Sequence, residues 1–153
     1  MPWNKLREKI PSGPQALSLD VTYPSSKVDL YGIPERINTF QLKDTVKGEP
    51  YRLYNTDHFD DAYNFHTLYG TIPVVHSRAA GQSVTTGFLW ANSSDSFVDI
   101  YSTESARVVH WFSESGALEF FVYPSGTPQV HAFKQKVLMG QMPMPNMFAL
   151  GYH

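Results

Sequence analysis

The sequence predicts a mainly β chain, an antiparallel β-sandwich with a single helix, on three observations. Short runs rich in Val, Ile, Thr and aromatic residues recur along most of the chain, turn-forming residues separate them, and helical periodicity shows in one segment. The 153 residues match one ordinary domain, and 42% hydrophobic with 14% aromatic content supplies a sizeable core.

Residues 1 to 16 hold three prolines and a glycine and read as irregular. Leu17, Leu19, Val21 and Tyr23 then alternate with Ser18, Asp20 and Thr22, the period of a strand with one buried face. The same reading applies to Ile72 to His76, Val84 to Trp90, Phe97 to Tyr101, Ala106 to Phe112 and Ala117 to Tyr123. Turn chemistry at Ser77 to Gly81, Asn92 to Ser96 and Glu114 to Gly116 separates these runs. Thr127 is placed to cap a helix with Pro128 at its first position, and Gly140 stops it. Between them Val130, Phe133, Val137 and Leu138 fall at helical spacing, which predicts one amphipathic helix of about three turns. QMPMPNM is a proline-punctuated linker, and MFALGYH opens a new apolar run. The expected division is a partial sandwich over 1–126, a helix and linker over 127–146, and the first strand of a further domain over 147–153.

Twelve Lys and Arg stand against 14 Asp and Glu, a formal charge of −2, which leaves no electrostatic footprint for nucleic acid or an anionic membrane. Charged residues make up 17%, below the roughly 25% of ordinary soluble domains, which points to surface covered by chain not present here. Cysteine is absent, excluding disulfides and thiolate metal sites. No run of about 18 apolar residues predicts a membrane span. The start MPWNKLREKI lacks the apolar core of a signal peptide, which says nothing of localisation if the chain is a piece of a longer one.

Several chemistries lack their signatures. There is no G-x-S-x-G elbow, P-loop or G-x-G-x-x-G, and the six histidines form no H-E-x-x-H or comparable pair, so no metal or cofactor is expected. Among the carboxylates, Asp57, Asp60 and Asp61 cluster, while Asp95, Asp99, Glu104, Glu114 and Glu119 are scattered over strands and turns. The stretch EPYRLYNTDHF, Glu49 to Phe59, crowds aromatic rings and hydrogen-bonding groups together. Its Asn55 and Asp57, between Tyr54 and Phe59, offer oxygen acceptors beside rings, a combination suited to sugar hydroxyls and the apolar face of a pyranose. The residues equally describe a turn held by Asn55 and Asp57 over buried tyrosines.

Several segments together resemble glycoside hydrolase family 31 α-glucosidases, in particular their glucosidase II and neutral α-glucosidase group. They are GPQALSLDVTYP, LYGIPER, EPYRLYNTDHF, LYGTIP, GFLWANSSDSFVDI, WFSESGALEFFV and MFALGYH, in that order, over residues 10 to 153. The resemblance implies a galactose-mutarotase-like N-terminal β-sandwich, incomplete upstream, followed by the first strand of a (β/α)8 barrel. It implies that Asp57 hydrogen-bonds the sugar in the leaving-group subsite, that Phe59 lines that subsite, and that Tyr54 and Asn55 shape the loop. It also implies partners: an α-glucoside or glucosylated glycan, the barrel of its own chain, and a glucosidase II β-subunit. The compartment implied is the endoplasmic-reticulum lumen for a glucosidase II-like protein and the cytoplasm for a neutral α-glucosidase relative. Departures are the short stretch from Tyr101 to Val109 and Phe97 where the family's T-W-V-D-I has Trp. No W-x-D-M-N-E nucleophile motif occurs, so no catalytic residue is expected here. Two functions are therefore expected as rivals: a piece of an α-glucosidase that supplies a substrate-binding loop, or a stand-alone carbohydrate-binding or interaction module.

Overall fold

The computed structural model describes residues 16–45, 49–57 and 67–151. Two four-stranded antiparallel sheets face each other. The strands are β1 Leu17–Tyr23, β2 Val28–Gly32, β3 Tyr51–Leu53, β4 Val74–Ala79, β5 Thr85–Trp90, β6 Ser96–Ser102, β7 Arg107–Ser113 and β8 Phe120–Ser125. One sheet runs in the order β1-β7-β6-β3 and the other β2-β4-β5-β8.

The β-sandwich expected from the sequence is the fold observed, and six of its strands stand where alternation placed them within a few residues. β2 and β3 were not anticipated. β2 buries Val28 and Leu30 on alternate positions, and β3 buries Tyr51 and Leu53 around an outward Arg52. β3, at three residues, is too short to display a period, whereas β2 does alternate Val28 and Leu30 with Asp29 over a brief run. β4 begins at Val74 rather than Ile72, because Pro73 has no N–H to give a ladder and Val74 N bonds back to Ile72 O at 2.8 Å. β8 begins at Phe120 rather than Ala117, since the Asn92 amide ties the preceding turn through Ser115 O and Ala117 O.

The core lies between the sheets. The rings of Trp90 and Trp111 stack with centroids 5.9 Å apart, and Phe88 adjoins Trp111 at 5.5 Å. Val75, Val98, Ile100 and Val109 pack around them, all without exposed surface. A buried indole N–H is stabilised by an acceptor, which Trp90 has and Trp111 lacks. Trp90 Nε1 donates to Ser113 Oγ at 2.8 Å, which is also 2.6 Å from Ser96 Oγ, its cross-strand partner. Burial is less complete along β8. Directly opposed residues of antiparallel strands share a face, so Phe120 and Val122, paired with Trp90 and Phe88, face inward, yet they remain 44% and 55% exposed.

The helix, α1, spans Pro128–Met139, with the Thr127 hydroxyl accepting from Val130 N and Gly140 at φ +82° closing it. Its ends are those expected, but its packing is not. Phe133 and Val137 are 64% and 68% exposed, and His131 is the helix's one buried residue. The helix is docked by its first turn onto the outer face of β5 and β8, so its apolar stripe is left uncovered.

That docking rests on a row of residues across the second sheet. Tyr31, His76, Gly87 and Tyr123 are successive cross-strand partners. Gly87 leaves room for the Tyr123 ring, whose Cζ would lie 2.1 Å from any Cβ placed there. The His131 ring stacks on Tyr123 at 5.0 Å, its Nε2 lies 2.6 Å from His76 Nδ1, and its Nδ1 lies 2.8 Å from Ser125 Oγ. Burial lowers the His76 imidazole to about 4, with His131 adding to the effect. Burial and then Lys134 also lower His131.

Residues 147–149, where the sequence leads one to expect a barrel strand to begin, form a single 3-10 turn. A parallel strand takes its hydrogen bonds from neighbours on both sides. Among the described residues none is placed to provide them.

Candidate functional site

Three short segments converge where β3 ends: the end of β3 itself, the turn between β5 and β6, and residues 67–72. Alternation along β3 sends Tyr51 and Leu53 into the core and Arg52 outward. The Tyr51 hydroxyl donates to Lys43 O at 3.1 Å and accepts from Lys43 N at 3.0 Å, pinning the strand to the preceding segment. Above the Tyr51 ring sits Arg36, its Cζ 4.9 Å from the centroid. Arg36 donates to Ile33 O at 2.7 Å and to Arg52 O at 3.3 Å, and burial lowers its guanidinium to about 10.

Arg52 grips Asp95 of the β5–β6 turn through Nε at 3.3 Å and Nη2 at 2.5 Å. Donating these hydrogen bonds to the Asp95 carboxylate raises the Arg52 pKa. Its guanidinium also lies over two rings, 4.6 Å from the Tyr54 centroid and 5.6 Å from that of Phe97, its cross-strand partner. The forked pair and the two rings give the strand end a fixed outline.

Beyond Leu53 the chain leaves the sheet. Tyr54 N donates to Thr67 Oγ1 at 3.1 Å, and the same hydroxyl donates to Tyr54 O. Thr56 N donates to Leu68 O at 3.0 Å, and its hydroxyl donates to Thr67 O at 2.9 Å. On this base Tyr54, Asn55 and Asp57 are all exposed. The structure therefore brings three of the four expected site residues together on one loop, facing solvent. The tyrosine of the alternative reading is Tyr51, which is buried below them, whereas Tyr54 is not. Phe59 lies outside the described residues.

Sequence reasoning missed Arg52, Asp95 and Thr67. Arg52 stood within the quoted stretch, but its partner is 43 residues away and looked like one of several scattered acids. Nothing in the sequence marks Thr67. A cavity of about 290 Å³ adjoins the site, lined by Leu53, Thr71, Pro73, Asn92, Ser94 and Ser96 among others. Much of its polar surface is already engaged, as Ser94 Oγ donates to Ser115 O at 2.8 Å and Ser96 Oγ to Ser94 O at 2.9 Å.

The comparisons with known proteins bear on family and fold. The family profile described as the glycosyl hydrolase 31 N-terminal galactose mutarotase-like domain matches residues 4–99. Neutral alpha-glucosidase AB of Dictyostelium discoideum is 35% identical over 152 residues, covering 94% of this chain and 16% of that protein. Glucosidase 2 subunit alpha of Saccharomyces cerevisiae is 36% identical over 154 residues, covering 95% and 15%. The crystal structure of a glucosidase II alpha subunit with Glc1Man2 bound superposes with a TM-score of 0.76 at 34% identity, over 92% of this chain and 17% of that one. The chain thus spans about one sixth of the length of the curated relatives it matches. With a matching domain profile, relatives above 30% identity along nearly its whole length, and the two-sheet fold in common, the chain belongs to glycosyl hydrolase family 31 and carries that family's N-terminal galactose mutarotase-like region.

Proposed function

We propose that this chain is the N-terminal substrate-binding part of a retaining α-glucosidase that removes terminal α-linked glucose. The observation that carries the reading is the exposed Tyr54–Asp57 segment, presented from a strand end that Arg52, Asp95 and Thr67 make rigid. In this reading the Asp57 carboxylate accepts a hydroxyl hydrogen of the sugar in the leaving-group subsite. Asn55 and Tyr54 shape the loop, and Phe59 contributes a stacking ring. The glucose pocket and both catalytic carboxylates belong to a (β/α)8 barrel whose first strand is residues 147–153 and whose active site opens at the strands' C-terminal ends. A sandwich loop reaches such a site only from above, so it supplies binding groups and no acid or nucleophile.

The names of the relatives support the substrate class. A solved glucosidase II alpha subunit holds α3-Glc2, and another is a heterodimeric complex with the binding domain of a regulatory subunit. A glucosylated glycan as substrate, a β-subunit as partner and the endoplasmic-reticulum lumen as location extend that likeness to this protein. The uncovered stripe of α1 and the exposed Phe120 and Val122 fit surfaces that the rest of such an enzyme would cover.

The test is to express the protein with whatever coding sequence follows His153 and to assay α-glucoside hydrolysis by NMR. Release of α-glucose from the non-reducing end supports the reading. A stop codon at this point with a stable, sugar-binding chain would replace it with a stand-alone carbohydrate-binding module.

A further inference from the structure

The β3–β6 ladder ends at the pair Leu53 and Ser96. Tyr54 is therefore the first residue past the sheet, and its N–H and C=O have no strand partner to bond. Thr67 fills both vacancies with one side chain. Its hydroxyl accepts from Tyr54 N at 3.1 Å and donates to Tyr54 O, which a hydroxyl can do because it is donor and acceptor at once. Thr67 is 1% exposed, so water does not compete for either bond.

The residues around Thr67 are anchored in turn. Leu68 N donates to Glu35 O at 2.9 Å, Glu35 N to Gly70 O at 2.7 Å and Ile72 N to Pro34 O at 3.0 Å. The segment they grip carries Arg36, which reaches Arg52 O on β3. Thr56 completes the clasp from the other side through Leu68 O and Thr67 O. Asp57 is the next residue. With Thr56 still bonded, loss of the grip at Tyr54 loosens the entry to the loop and shifts the carboxylate by about 1 Å, a misplacement already costly at a reacting substrate.

We infer that Thr67 is the positioning residue for Asp57, holding the loop through Tyr54 so that the carboxylate meets the sugar in the leaving-group subsite. The inference rests on the role given to Asp57 above. Thr67 itself touches no substrate. A β-branched isostere without the hydroxyl, valine, preserves the packing and removes both bonds.

The experiment uses the full-length enzyme as wild type and as Thr67→Val, Thr67→Ser, Asp57→Ala and the Thr67→Val, Asp57→Ala double variant. Two readouts are taken: kcat and KM on an α-linked glucose disaccharide and on an aryl α-glucoside, and hydrogen exchange of the peptide containing the Tyr54 amide. Thr67→Val is expected to cut kcat/KM on the disaccharide about tenfold, chiefly through KM, and to change the aryl glucoside by less than about twofold. Thr67→Ser should restore the disaccharide value, and the double variant should be no worse than Asp57→Ala. Exchange at Tyr54 should quicken about tenfold or more in Thr67→Val alone among the single variants. Equal losses on both substrates, no recovery with serine, or unchanged Tyr54 exchange would overturn the inference. An Asp57→Ala enzyme with undiminished disaccharide activity would overturn the role of Asp57 instead, and exchange at Tyr54 would still decide whether the clasp exists.

Discussion

His76 of β4 and His131 of α1 share one hydrogen bond, Nδ1 to Nε2 at 2.6 Å, and with the bonds from α1 to Ser125 Oγ and Pro124 O on β8 it holds the helix to the sheet. One ring must donate and the other accept, so the bond needs an unprotonated nitrogen, and two imidazolium rings in contact would repel. The groups around the pair are the stacked Tyr123, the Ser125 hydroxyl and Lys134, with Tyr31 beside His76 on the neighbouring strand. No carboxylate among these offers compensation.

The first prediction follows from the sign of the shift. Folding lowers His76 from an ordinary value of 6.5 to about 4 and lowers His131 as well. Between those values the unfolded chain binds more protons than the folded one, so stability falls as pH drops from about 6.5 towards 4 and is indifferent to this pair above that window. Allowing for solvent around partly buried rings, the loss is of order 1 to 2 kcal/mol. In the full-length protein, amide exchange over residues 128–139 should accelerate between pH 7 and pH 4.5 once corrected for intrinsic rates, and His76→Gln should flatten that dependence. A corrected rate that does not change with pH would show that the pair does not govern docking.

A second expectation concerns Asp57→Ala in the full-length enzyme. A hydrogen bond to a charged acceptor contributes about 1.5 to 3 kcal/mol, or roughly 10- to 150-fold in kcat/KM. The loss should fall on disaccharide and oligosaccharide substrates and spare an activated aryl glucoside, whose leaving group cannot use the bond. Comparable losses on both would assign the loop a structural role.

The third is that the 153-residue chain by itself hydrolyses no glucoside. Retaining hydrolysis needs an acid and a nucleophile roughly 5 to 5.5 Å apart across the scissile bond, and a single binding aspartate on a sandwich loop cannot act as both. Turnover of a chromogenic α-glucoside by the purified chain, abolished by Asp57→Asn, would contradict this.

The fourth concerns association of the isolated chain. β1 and β8 each pair on one side only among the described strands. Phe120, Val122, Phe133, Val137, Met147 and Phe148 are exposed. Open edges and apolar patches of this kind find a partner or aggregate. Sedimentation of the isolated chain should show self-association, and a hydrophobic dye should bind it. A monodisperse monomer with one sharp thermal transition and no dye binding would disprove the expectation and favour a self-sufficient binding module.

Much of the fold was legible because it is local. The alternation of Leu17 to Tyr23 specifies a strand without reference to any other residue, and β1 occupies that span. Thr127, Pro128 and Gly140 mark helix ends by capping chemistry that acts within one turn, and α1 begins and ends there. The three residues of β3 could not be read, because a strand that short is formed by its partner β6 rather than by its own pattern.

By itself, then, the sequence determined the β-sandwich, the ends of its helix and the loop on which Tyr54, Asn55 and Asp57 sit together, since each follows from periodicity, capping or proximity along the chain. Only the tertiary structure decided what holds them. Arg52 meets Asp95 across 43 residues, His76 meets His131 across 55, and Thr67 reaches back 13 to Tyr54. It also left the apolar stripe of α1 exposed, although its spacing had marked it for burial. Such pairings depend on which strands become neighbours, a non-local outcome whose partners share no sequence signal until chain folding brings them within hydrogen-bonding distance.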